Sequence, residues 1–239
     1  MVVSPGSPPA SPRLEARLRP LGQATEDTLM VHEIYASIQG ESTWAGEPCT
    51  FIRTTACHLR CTYCDTPHAF TEGKAVSTDE ILQAVQTLGI PTVEITGGEP
   101  LLQPGVPPLC KRLCDEGFRV LLETSGSLDI RTVDPRVIRI VDFKTPGSGE
   151  EGANLYGNIE ALTPHDEVKL VLCGEEDYRW AVNLLRTHDL AKRCTVLLGP
   201  VFGRLAPSEL AAWIVRDRIP VRMQIQMHKS IWAPEARGV

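Results

Sequence analysis

The sequence predicts an α/β fold, a partial (incomplete) TIM-like βα barrel built on a mostly parallel sheet. Three observations predict it. Short segments rich in β-branched residues alternate with longer amphipathic ones, the order that feeds parallel strands through helical crossovers. The strand–helix units number about six, fewer than the eight of a closed barrel. The polar and chemically unusual residues gather at the C-terminal ends of the strand segments, the rim where parallel α/β folds bind ligands.

Residues 1–27 stand apart from this pattern. Ser4-Pro5-Gly6-Ser7-Pro8-Pro9-Ala10-Ser11-Pro12 lacks the donors for a ladder and adds chain entropy, so the stretch reads as a disordered tail. Met30 opens the sequence that reads as structured and is a candidate start of translation. The first strand is expected at 50–55. Ser77-Thr78-Asp79-Glu80 is a capping box, serine at the cap and glutamate three residues later. It opens a helix whose Ile81, Leu82, Val85 and Leu88 share one face. Further strands are expected at 92–96, 119–123, 137–143, Glu167–Leu172, 195–198 and 221–227, with helices at 107–116, 177–188 and 207–216. Apolar runs such as Val196-Leu197-Leu198 fit a sheet covered on both faces.

The chain has 239 residues, 42% hydrophobic and 23% charged, the balance of a soluble globular domain with a buried core. A formal net charge of −6 gives no general affinity for nucleic acid or anionic membranes. No apolar run approaches the length of a membrane span, and no basic-then-apolar leader opens the chain. Eight cysteines in such a chain indicate a reducing, cytoplasmic setting.

The chemistry lies in Cys57-His58-Leu59-Arg60-Cys61-Thr62-Tyr63-Cys64, which follows the first expected strand. Three soft thiolates on a tight loop suit three irons of a cubane and leave the fourth iron open. The other reading is structural zinc, with His58 or His68 as the missing fourth ligand. Cys49, Cys110, Cys114, Cys173 and Cys194 read as buried apolar thiols.

With this loop stands Ile95-Thr96-Gly97-Gly98-Glu99-Pro100 after the next strand. The pair of motifs resembles the radical S-adenosylmethionine (SAM) superfamily. More of the chain, from about His32 to Trp232, is similar to one family within it, the 7-carboxy-7-deazaguanine synthases of queuosine biosynthesis. The segments that carry this likeness include 33–41, Phe51-Ile52-Arg53, Cys64-Asp65-Thr66, Glu123-Thr124-Ser125-Gly126, Asp142-Phe143-Lys144-Thr145-Pro146, 199–203 and 224–229. The family pattern has glycine where this chain has Ser42 and Ala56.

The resemblance implies residues 28–239 as a radical SAM catalytic domain holding a [4Fe–4S] cluster on Cys57, Cys61 and Cys64. It implies SAM held by Tyr63, Cys64, Asp65, Gly98, Glu99, Ser125 and Lys144, and Mg2+ on Thr66. The substrate would be 6-carboxy-5,6,7,8-tetrahydropterin, and the reaction a ring contraction with loss of ammonia. Ile38, Gln39, Gly40, Arg53 and Thr96 would contact that pterin. Arg53 suits its carboxylate, because a guanidinium offers a planar pair of donors. A homodimer and a reductant such as flavodoxin are further implications. Two rivals make different demands: a glycyl-radical activating enzyme would act on a protein, and a non-catalytic zinc-binding interaction module would give no reason for Gly97-Gly98-Glu99 at a strand end.

Overall fold

In a computed structural model the described residues are 12–234 and 236–239. A nine-stranded sheet runs in the order β3-β1-β2-β4-β5-β6-β7-β8-β9 and does not close on itself. From β2 (Pro48–Thr54) through β4 (Thr92–Gly97), β5 (Arg119–Thr124), β6 (Ile138–Asp142), β7 (Glu167–Leu172), β8 (Thr195–Pro200) and β9 (Arg222–Met223) every neighbouring pair is parallel. At the other edge β1 (Thr28–Ile38) runs antiparallel to both β2 and β3 (Lys74–Ser77). The expected partial barrel is therefore present, with an antiparallel edge that the strand expectations had not included.

The helices cover the outer face. Ser77 caps α2 (Thr78–Leu88), and its capping box with Glu80 is complete. Ile81, Leu82 and Val85 of α2 and Leu109, Cys110 and Leu113 of α3 (Val106–Asp115) pack on Ile52, Val93, Ile95, Val120 and Leu122. A second core joins α4 (Glu175–Thr187), α5 (Leu190–Arg193) and α6 (Pro207–Asp217) to Val141, Val168, Leu170, Val196 and Leu198. Each such side chain taken from water contributes about 1.5–3 kcal/mol.

The residues between those core positions point the other way, because strand side chains alternate. Glu94, Thr96, Glu123, Asp142, Glu167 and Lys169 occupy these alternate positions. The central strands are buried on both faces, as their composition led one to expect, but the concave face carries ionisable groups among its apolar ones. That face forms the wall of the site.

Three other expectations meet a different structure. Of the expected tail, residues 1–11 lie outside the described residues, whereas Pro12–Leu18 form a helix, α1, followed by a 3-10 turn at Arg19–Leu21. The last strand is two residues long instead of 221–227, because the chain leaves the sheet once Gln224 N has bonded to Leu198 O at 2.9 Å. Among the five cysteines read as buried, Cys49, Cys110 and Cys194 are so, while Cys114 and Cys173 are only partly covered.

Candidate active site

At the C-terminal end of β2 the chain turns through Ala56, at φ 77°, into the cysteine loop. Ala56 N donates to Ala69 O at 2.8 Å and closes the loop at its base. An irregular loop beside a core must find partners for its backbone groups. Here three arginines supply them. Arg60 Nη1 donates to Cys57 O (2.7 Å) and Leu59 O (2.6 Å), Arg17 Nη1 to His58 O (2.5 Å) and Arg204 Nη2 to Thr62 O (2.9 Å). Arg60 N donates to Glu150 Oε1 at 2.6 Å and Thr62 N to Ser148 O at 2.9 Å.

Cys57 is buried, and Cys61 and Cys64 are partly covered. Burial pushes the Cys57 thiol up to about 12 and the Cys61 thiol up to about 11. A bound metal reverses this, since a coordinating thiol is deprotonated. The three sulfurs do not all come within 4.8 Å of one another, so they do not converge as ligands of a single ion do. All three line the cleft, and among the described residues no fourth ligand is gathered to them, which suits three irons of a cubane better than a closed zinc set. His58 Nε2 is 2.9 Å from Ser127 Oγ, and among the described residues no group of three gathered ligand atoms includes His58.

Gly97 and Gly98 make the next contact possible. Gly98 N donates to Thr54 O at 3.1 Å and Glu99 N to Ala56 O at 2.8 Å, so this strand end is stitched to the root of the cysteine loop. A Cβ on Gly98 would stand 2.0 Å from Ala56 O, and one on Gly97, at φ +134°, 2.3 Å from Thr54 O. Only glycine permits that approach. The Glu99 carboxylate is fully buried and accepts from Leu101 N (3.0 Å), Thr124 Oγ1 (2.8 Å), Ser125 N (2.7 Å) and Ser125 Oγ (2.5 Å). It holds the β4 and β5 ends together and does not line the cleft.

The wall is an ionic network. Lys169 Nζ contacts Glu123 and lies 2.8 Å from Glu41 Oε2 and 3.7 Å from Asp142 Oδ2. Burial alone would lower the Lys169 pKa, but Glu123, Glu41 and Asp142 hold it well above the ordinary lysine value. Burial and the charge of Glu123 raise the Glu94 carboxyl well above its usual range. Gln39 Nε2 donates to Glu94, and Gln39 Oε1 accepts from Glu41 N at 3.0 Å. The Gln39 amide is thus engaged within the protein. Lys144 Nζ lies 2.9 Å from Asp142 Oδ2, while Asp142 Oδ1 is buried without a hydrogen-bond partner among the described residues. An orphaned oxygen of this kind invites a ligand donor.

At the opposite end, Arg53 donates through Nε to Glu33 Oε1 (2.9 Å) and through Nη2 to Tyr35 OH (2.8 Å). The side-on fork is spent on the protein, and Nη1 remains for an anion. Thr66 Oγ1 sits 4.0 Å from Cys64 Sγ. Such a hydroxyl fits magnesium only as one ligand among waters and substrate oxygens. Asp65 Oδ2 is bound by Lys229 Nζ (2.9 Å) and Gln226 Nε2 (3.1 Å), and Gly40 packs on the His228 ring, which a Cβ there would strike at 2.4 Å.

The three cysteines, the Lys169 network, Arg53, Asp65, Thr66 and Gly40 line one cleft of about 650 Å³. It gathers Ile38, Gln39, Gly40, Arg53, Cys57, Cys61, Tyr63, Cys64, Asp65, Thr66, Thr96, Gly98, Ser125 and Lys144; of the expected set only Glu99 is not on its surface. Glu94 and Lys169 were not singled out from the sequence, and Glu123 and Asp142, though part of the segments that carry the likeness, were given no site role. The signal was there: ionisable residues at central positions of buried strands are rare unless they have work to do.

The Radical SAM superfamily sequence profile matches residues 51–197. A 7-carboxy-7-deazaguanine synthase of Chlorobaculum tepidum is 48% identical over 219 residues, covering 90% of this chain and 100% of that protein. One from Koribacter versatilis is 43% identical over 228 residues, covering 88% and 100%. Among solved structures, QueE from Escherichia coli is similar with a TM-score of 0.68 at 26% identity, over 84% of this chain and 95% of that chain.

Proposed function

The chain belongs to the radical SAM superfamily, and within it to the 7-carboxy-7-deazaguanine synthases, and we propose that it converts 6-carboxy-5,6,7,8-tetrahydropterin to 7-carboxy-7-deazaguanine with loss of ammonia, as a carbon–nitrogen lyase. The observation that carries this reading is the convergence of the Cys57–Cys61–Cys64 loop, the Gly97-Gly98 strand end and Arg53 on one small-molecule cleft. Bound at that loop, a [4Fe–4S] cluster with SAM would supply a carbon-centred radical able to take hydrogen from C6 of the pterin. The protein's part is to bind and orient. Arg53 would pair with the substrate carboxylate through Nη1, held in place by Glu33 and Tyr35. The bonded pair Gln39–Glu94 would present a polar edge to the flat heterocycle, with backbone groups of Ile38 and Gly40 and the Thr96 hydroxyl beside it. Tyr63, Asp65, Gly98, Ser125 and Lys144 would surround SAM, with Glu99 bracing Ser125 from behind. Thr66 would give Mg2+ one protein oxygen.

The same reading includes a cytoplasmic homodimer supplied with electrons by a flavodoxin-like protein. No helix among the described residues is long and apolar enough to cross a membrane.

The test uses protein purified without oxygen. Iron and sulfide are measured first, then turnover with SAM, dithionite, magnesium and 6-carboxytetrahydropterin. About four irons per chain and formation of the deazaguanine would support the proposal. SAM cleavage with the pterin left untouched would refute the substrate and keep the chemistry class.

A further inference from the structure

A second constellation of ligands stands at the mouth of the cleft, outside the cluster loop. His32, Glu33 and His68 each bring one ligand atom within 4.8 Å of the other two, and all three residues are partly buried. No other group of three among the described histidines, cysteines and carboxylates closes so far. A local irregularity makes it possible. Side chains of adjacent residues in a strand point to opposite faces, so His32 and Glu33 would ordinarily diverge. Here the register of β1 against β2 slips between Val31, opposite Thr54, and Glu33, opposite Arg53. Two steps along β1 match one along β2, which is a β-bulge, and bulges re-aim side chains. His32 and Glu33 therefore reach the same side, where the 3-10 turn Pro67–Phe70 delivers His68.

The surroundings of each ligand suit a metal. His32 Nδ1 lies 3.2 Å from the carbonyl oxygen of Glu72. An N–H donated there fixes the tautomer and turns Nε2 into the lone-pair donor, the second contact that metal-bound histidines commonly make. The His32 and His68 rings stand 4.9 Å apart at 45°, tilted as two imidazoles on one ion and not stacked face to face. Glu33 gives only Oε1 to Arg53, which leaves Oε2 to bind. The other nearby cation, Arg237, is paired with Glu72 at 3.2 Å.

We propose that His32, Glu33 and His68 bind one divalent transition-metal ion, with zinc the best match, at a site separate from the cluster. Two imidazoles and one carboxylate, with a fourth position open, form a set that zinc takes readily. Bonds of about 2.0–2.2 Å would draw the three donor atoms to roughly 3.3 Å from one another. Rotation of the two histidine side chains supplies that closure. The ion would share Glu33 with Arg53, so its binding is coupled to the guanidinium at the substrate end of the cleft. The proposal does not depend on the pterin reaction, and its test reads metal instead of turnover.

The full chain with its cluster assembled, freed of loose metal by a chelator, is dialysed anaerobically against micromolar Zn2+. Zinc and iron are then counted together, and the zinc X-ray absorption edge is recorded. The expected result is about one zinc per chain, with nitrogen and oxygen neighbours near 2.0–2.1 Å and no sulfur shell near 2.3 Å. His32→Ala and His68→Ala should each weaken zinc binding at least tenfold with iron content unchanged. His32→Gln and His68→Asn, which keep hydrogen-bonding ability, guard against loss of fold and should weaken it equally. The site is refuted by a cluster-bearing chain that retains no zinc, by zinc bound to sulfur, or by zinc that survives His32→Ala and His68→Ala combined in one chain.

Discussion

Ala56 and Ser42 occupy left-handed backbone, at φ 77° and 64°, where a side chain is costly. Both stand where the family pattern has glycine, so their conformation is what that pattern requires, met without the residue that meets it cheaply. The two differ in compensation. Ser42 Oγ accepts from Trp44 N at 3.1 Å, and Ser42 N donates to Gln224 Oε1 at 2.8 Å. The Ala56 methyl makes no such bond. Ala56→Gly is therefore expected to stabilise the protein by roughly 1 kcal/mol, whereas Ser42→Gly should be near neutral. Thermal melts of anaerobic protein check this, with a rise of about 2–4 °C expected for Ala56→Gly alone. Arg53 allows a sharper test of the substrate reading. Lysine keeps the charge but cannot hold Glu33, Tyr35 and a carboxylate in one plane. Arg53→Lys should raise KM for the pterin about tenfold or more while the cluster signal and uncoupled SAM cleavage stay as they are. An unchanged KM would remove Arg53 from the substrate site.

The strands, taken as elements, carry two messages at period two. Val93 and Ile95 of β4 pack outward on the helices, while Glu94 and Thr96 face the cleft; Val168 and Leu170 pack outward from β7 while Glu167 and Lys169 face inward. The outward message was legible in the sequence, and with it came the strand positions, the capped helix and the motif-bearing loop. The inward one was not, because a charge inside a buried strand signals a partner without saying which strand holds it. Lys169 finds Glu41 and Glu123 only through the sheet order, across sequence distances of 128 and 46 residues. β1 was missed for a related reason: its inner residues, Glu33 and Tyr35 among them, are polar or ionisable and break the apolar pattern. The network has a pH signature. Glu94 is raised well above its usual value by burial and by Glu123. A carboxyl that holds its proton longer when folded makes the folded state lose stability as pH rises from the unfolded value, about 4.3, through the raised folded value. Glu94→Gln removes that proton linkage. Denaturant melts from pH 5 to 8.5 should show a smaller alkaline loss of stability in Glu94→Gln than in the parent chain; equal slopes would mean that Glu94 ionises freely in the folded protein.

At the scale of the whole molecule, an open barrel must seal its site with something other than strands, and here both ends of the described chain fold back to do so. Arg237, Gly238 and Val239 reach the cleft mouth, and Arg237 pairs with Glu72. From the other end, α1 carries Arg17 to the cysteine loop, 41 residues away in sequence, where it donates to His58 O and lies 3.9 Å from Glu150 Oε1. Glu150 in turn accepts from Arg60 N, so α1 and the Ser148–Glu150 turn brace one loop from two sides. The composition of residues 1–27 gave no hint of this, since a helix with no buried residue leaves no apolar stripe to read. A loop that must hold three thiols in fixed positions gains from each brace, and a hydrogen bond from a charged donor contributes about 1.5–3 kcal/mol. With Arg17 only partly covered, the lower end of that range applies, which corresponds to roughly a tenfold change in an equilibrium. Arg17→Ala should thus speed the loss of iron to a chelator by about tenfold, followed as the decay of the cluster's visible absorption under nitrogen. Arg17→Lys should recover part of the difference, because an ammonium can still donate to the carbonyl. If the alanine variant lost iron no faster than the parent, α1 would be an ornament of the surface and the loop would owe its shape to Arg60, Arg204 and Glu150 alone.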